Sequence, residues 1–147
     1  MSKSEFTAAK LIESWRREGV RLNSGAAEAS IIHLERRFQV RVPPTLREYL
    51  MIADGMPLGS TDSNMIRFWP VAEIVPLAEG APESLGDAAS ECGRALLFAD
   101  YCIWSHAYAV QPDAPNHVLL VVGERPVDLK MQFDEFVDAY MSRGVLW

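Results

Sequence analysis

A chain of 147 residues, 49% hydrophobic and 23% charged, has the size of one domain and too much apolar content for intrinsic disorder. Its longest apolar runs, such as Val118 to Val122, fall far short of the ~20 residues that cross a bilayer, and MSKSEFTAAK has no apolar signal core, so a cytoplasmic protein is expected. The net charge of −6 is uneven: residues 1–50 carry nine Lys/Arg against six Asp/Glu (+3) and residues 51–147 five against fourteen (−9), which argues against nucleic acid and for either a basic partner or a solvated acidic surface that serves solubility.

From Thr7 to Arg17 the apolar residues Ala8, Leu11, Ile12 and Trp15 recur at helical spacing, and Gly19 offers a left-handed stop. A second helix runs from Ala26 to Phe38, with Ala27, Ile31, Leu34 and Phe38 inward and Glu35, Arg36 and Arg37 outward. Val40 and Val42 are extended before the Pro43-Pro44 corner, and Pro44 opens a third helix with Leu46, Tyr49, Leu50 and Ala53 inward, closed at Asp54-Gly55.

MPLGSTDSN then reads as a polar loop, and MIRFWPVAEIVPL as a short strand through Phe68 and Trp69 with a turn at Pro70. Residues 78–95 are a long surface excursion with room for one helical turn. LLFADYCIWSHAYAVQ and HVLLVVG read as two strands that pair antiparallel across the turn PDAPN. QFDEFVDAYMSRG forms a closing helix that covers the sheet with Phe133, Phe136, Val137, Tyr140 and Met141 and ends near Gly144. Helices, then strands, then a final helix make residues 1–147 one α+β domain with a mainly antiparallel sheet.

The stretch from Leu96 to Val110 holds the residue types of an active site: Asp100, Cys102, Ser105 and His106. Read as one extended strand, it puts Cys102, Trp104, His106 and Tyr108 on one face and Ile103, Ser105, Ala107 and Ala109 on the other. Cys102 and His106 are then roughly 13 Å apart along the strand, too far for a thiol–imidazole pair. Ser105 points away from His106. The alanine face suits close approach of a helix, and the large-residue face suits core or a half-open groove.

Cys92 and Cys102, with no C-x-x-C pattern, read as reduced thiols, and with His33, His106 and His117 they show no recognised metal-ligand spacing. Gly55 and Gly59 lack the Gly-Lys-Ser/Thr of a phosphate loop. No pair among the acids of the second half is singled out by spacing. No metal or cofactor is expected. Met51, Met65, Met131 and Met141 suit core gaps or an adaptable groove; Trp69 and Trp104 are expected first in the core, and are also the aromatics best suited to anchor a partner.

IIHLERRFQVRVPPTLREYLMIADG resembles the opening signature of the SUKH superfamily, which includes fungal cell-wall-assembly regulators and many bacterial immunity proteins. The shared pattern is an amphipathic helix ending in an aromatic, a Val-Pro corner and a helix closed by a polar-Gly pair. FWPVAEI, LLFADYCIWSHAYAV, VLLVVG and QFDEFVDAYM are similar to the strands and closing helix that follow, so the likeness runs from about Ala26 to Met141. Two departures stand out: Asp54 replaces a common asparagine, and FADYC replaces a glycine-containing turn.

The resemblance implies a binding role, the bacterial members being proposed to neutralise toxin domains, often nucleases with basic clefts, inside the producing cell. It supplies no catalytic residue. The expectation is therefore a non-catalytic immunity-type protein, not an enzyme, whose partner is a basic toxin domain and which binds neither nucleic acid nor membrane. The candidate face combines Trp69, Asp100, Trp104, His106 and Tyr108 with Glu79, Glu83 and Asp87. The alternatives are a regulatory interaction module for a cellular partner and a small hydrolase using Cys102 or the acids.

Overall fold

The structure is a computed structural model that describes residues 2–80, 92–101, 105–122 and 125–144. Three helices open it. α1, Lys3–Glu18, starts a turn earlier than its apolar stripe, because the Ser2 hydroxyl accepts the Glu5 backbone N–H at 3.1 Å and caps the first turn. It ends at Gly19 in the left-handed conformation. α2, Glu28–Phe38, and α3, Pro44–Ile52, follow the expected stripes, with Ile31, Leu34, Leu46, Tyr49 and Leu50 buried. Glu35, expected on the outward face, instead locks the Pro-Pro corner: it accepts the Val42 N–H at 2.9 Å and pairs with Arg47 at 2.7 Å.

After α3 the chain enters a six-stranded antiparallel sheet, the strands counted among the described residues. The strands are β1 (Ile66–Phe68), β2 (Val75–Pro76), β3 (Leu96–Tyr101), β4 (His106–Val110), β5 (Val118–Val122) and β6 (Arg125–Asp128). Their order is β1-β3-β4-β5-β6, with β2 beside β1 on β3. The one-turn helix α4, Leu77–Gly80, follows β2, and α5, Phe133–Arg143, closes the fold. The α+β architecture and the pairing of β4 with β5 across PDAPN are as expected.

The single strand expected from Leu96 to Val110 is instead a hairpin, with Tyr101 opposite His106. The Tyr101 carbonyl accepts both the N–H of Ser105 at 3.0 Å and its hydroxyl at 2.8 Å, which closes the reversal. Nothing between the two strands is Gly, Pro, Asn or Asp, so the usual hairpin signal is missing. Cys102, and with it the expected spacing between Cys102 and His106, lies outside the described residues.

Helices α1, α3 and α5 cover one face of the sheet through a continuous aromatic core. Phe68 meets Trp15 at a centroid distance of 4.9 Å, and Tyr108 meets Phe136 at 4.9 Å. The helix thus packs on the large-residue face of β4, for which core was one of the two readings, and not on Ala107 and Ala109, where a helix was expected. Aromatic rings on the sheet interlock with Phe133, Phe136 and Tyr140 of α5 and bury more apolar area than alanines would.

Both sheet edges are guarded. Loop residues Met56 and Asp62 donate their N–H groups to Phe68 and Ile66 and so cover β1. At the other edge Leu129 N–H bonds the Val118 carbonyl, so alternation turns the backbone groups of Val127 toward β5 and those of Pro126 and Asp128 outward. Pro126 has no N–H to offer there, which blunts the edge against pairing with another chain.

A candidate binding groove beside β1

Alternation along β1 sends Ile66 and Phe68 into the helix layer and Arg67 to the opposite face. Asp100 of β3 lies directly across from Arg67. Trp69 follows β1, held to β3 by its N–H on the Phe98 carbonyl at 2.7 Å, where β3 shifts register. Its indole Nε1–H donates to Asp100 Oδ1 at 2.6 Å. Gly55 lets the segment after α3 lie against the end of β1: it has φ +64°, and a Cβ there would lie 2.6 Å from the Trp69 backbone.

Arg67 does not turn to the carboxylate across from it. Its guanidinium forks onto Glu73 at 2.8 and 2.6 Å, and also donates to the carbonyls of Met56 at 3.0 Å and Pro57 at 3.2 Å. A planar five-donor fork suits such a junction. One side chain thereby clamps the loop carrying Leu58 to the turn carrying Glu73.

These residues floor a groove of about 900 Å³ whose walls include Leu58, Met65 and Val75. Leu58 is 80% exposed and Met65 54%, beside a Trp69 ring that is only 7% exposed. The groove is within the size range of binding sites that enclose a side chain or small ligand. Apolar walls over a fixed polar floor can grip a partner's apolar side chain and orient it by charge.

The expected face is divided by the sheet. Trp69 and Asp100 come together at the groove, whereas His106 and Tyr108 are buried in the helix-facing layer, His106 stacked on Tyr101 at 4.7 Å. That corrects their assignment to a partner surface: the rings fill the space beneath α5. Trp69 is itself mostly buried and contributes the floor, not an exposed anchor. Glu79 is exposed on α4, next to Gly80 of the groove wall. Glu83, Asp87 and Trp104 lie outside the described residues.

Sequence reasoning missed Leu58, Arg67 and Glu73. Arg67 was readable, since a cation between two apolar residues of a strand must face away from them. Leu58 was hidden in a stretch that is polar on average, and the Arg67–Glu73 link spans a turn that no periodicity describes.

Two titrating groups flank the groove's supports. Burial, reinforced by the charge of Glu73 and opposed by the Val71 backbone N–H at 2.6 Å, raises Asp54 above the usual carboxylate range. Burial lowers His106, against the pull of Asp100, so its imidazole is neutral at pH 7. Among the described residues no group of three or more His, Cys, Asp or Glu is placed to hold a metal ion, and no helix is long and apolar enough to cross a membrane.

No protein-family model matches the chain, and no curated protein matches it.

Proposed function

We propose that the protein is a non-catalytic binding protein of the immunity type, which neutralises a bacterial toxin domain by covering it with the face that contains the groove. The observation that carries this reading is the pair of exposed side chains Leu58 and Met65 over the fixed Trp69–Asp100 and Arg67–Glu73 floor. Interfaces concentrate their energy where apolar anchors meet a desolvated, preorganised pocket, and Trp, Met and Arg are enriched there. The charge of −9 on residues 51–147 supports a basic partner surface. The SUKH-like pattern of core and turn residues supports the same reading.

Co-expression with the toxin domain encoded beside the gene tests it. The wild-type chain protects the cells, and Leu58→Glu/Met65→Glu, which alters exposed positions only, does not. Equal protection by both, or none by the wild type, contradicts the proposal.

A further inference from the structure

A second pocket, of about 370 Å³, shares Ala72 with the groove and lies between α2 and the turn after β1. Leu34, Val71 and Ile74, all buried, make its apolar part. Arg37 of α2 and Asp54, just past α3, line the same pocket with opposite charges. We infer that this pocket, independently of the groove, binds a small zwitterion in which an amine and a carboxylate are joined by a short apolar body, the carboxylate held by Arg37 and the amine by Asp54.

The two charges share the pocket without meeting: among the described residues neither makes an ion pair. Asp54 gives one oxygen to the Val71 N–H at 2.6 Å, and Arg37 lies over the Phe38 ring at 4.7 Å, a contact that uses none of its N–H donors. Burial and the charge of Glu73 hold Asp54 above the usual carboxylate range, the behaviour of a carboxylate that no cation compensates. Ser30 and His33 add hydrogen-bonding groups on the Arg37 side of α2. A simple anion would be drawn to Arg37 and repelled by Asp54, and a simple cation the reverse. An apolar guest would desolvate both charges and give nothing back. A zwitterion answers each charge with its opposite, through a guanidinium–carboxylate fork and an ammonium–carboxylate pair, while its body covers the apolar part. The volume is near the lower end for small-ligand sites, which suits a guest of amino-acid size.

Amide NMR titration of the whole chain with leucine, γ-aminobutyrate and ε-aminocaproate tests this, with pentylamine and hexanoate as probes that carry one charge each. At least one zwitterion is expected to shift the His33 and Val71 amides saturably, and to bind about tenfold more tightly than either single-charge probe. Arg37→Gln and Asp54→Asn should each weaken that binding about tenfold. Asn keeps an oxygen for the Val71 N–H, and Arg37 is exposed, so both changes remove charge while the fold is retained. No saturable shift with any of the three zwitterions, single-charge probes that bind as tightly, or affinity indifferent to Arg37→Gln and Asp54→Asn overturns the inference.

Discussion

The indole of Trp69 and the carboxylate of Asp100 join β1 to β3 on the face of the sheet away from the helices, through a hydrogen bond of 2.6 Å. A neutral donor on a carboxylate is a charge-assisted bond, and here it fixes the floor of the groove. Trp69→Phe keeps the ring and removes the donor. The expected cost is about 2 kcal/mol in urea unfolding, with the fold retained. A cost near zero would mean that the bond does not hold the floor.

Asp62 plays a comparable part under the helices. Its buried carboxylate accepts the Trp15 indole N–H at 3.2 Å, the Tyr140 hydroxyl, and the backbone N–H groups of Asn64 at 2.9 Å and Ile66 at 3.2 Å. It ties α1, α5 and the start of β1 to one point. Asp62→Ala strands several buried donors at once and should cost about 3 kcal/mol or more. Calorimetry would show a single transition moved far down in temperature; a shift of a degree or two would contradict this assignment.

Tyr49 presents the opposite case. Its hydroxyl is buried with no hydrogen-bond partner among the described residues, amid Trp15, Phe68 and Phe133. Burial, followed by the charges of Asp54 and Asp62, pushes the phenol far above its usual range, so it stays protonated. Tyr49→Phe removes an unsatisfied polar group without opening a cavity of consequence. It should be neutral or stabilise by about 1 kcal/mol, where most core changes destabilise. A clear loss of stability in denaturant unfolding would show that the hydroxyl has a partner.

Asp54 makes stability depend on pH. Its folded pKa lies above the unfolded value, so between the two values the folded chain binds more protons and stability falls as pH rises. Above both values the cost is fully present. Asp54→Asn retains an oxygen for the Val71 N–H and removes the charge, so it should raise the thermal midpoint at pH 7. The gain should shrink as pH falls through the folded pKa and vanish below the unfolded one. A gain independent of pH would place its origin elsewhere.

How much of this was legible in the sequence depends on the kind of signal. Helices α1, α2, α3 and α5 follow apolar stripes, and β4 and β5 are separated by a plain turn, so all were readable. The β3–β4 hairpin was not, because strand-forming residues run through a reversal with no Gly, Pro, Asn or Asp to mark it. Alternation identified which residues share a face, such as His106 with Tyr108, yet it carries no information about which layer covers that face. Of the candidate site, Trp69 and Asp100 were found by residue type. Their union with Arg67, Glu73 and Leu58 depends on a turn and a loop meeting a strand, and that is tertiary information.

A toxin domain that docks on the face around Leu58, Met65 and Trp69, as proposed, would shield the backbone beneath it from solvent. Hydrogen–deuterium exchange of the full chain, alone and with the toxin domain encoded beside its gene, tests this most directly. The expected result is added protection in the backbone from Met56 to Glu73, lost with Leu58→Glu/Met65→Glu. Protection confined to α1 and α2, or a complex that forms with no change from Met56 to Glu73, would contradict it.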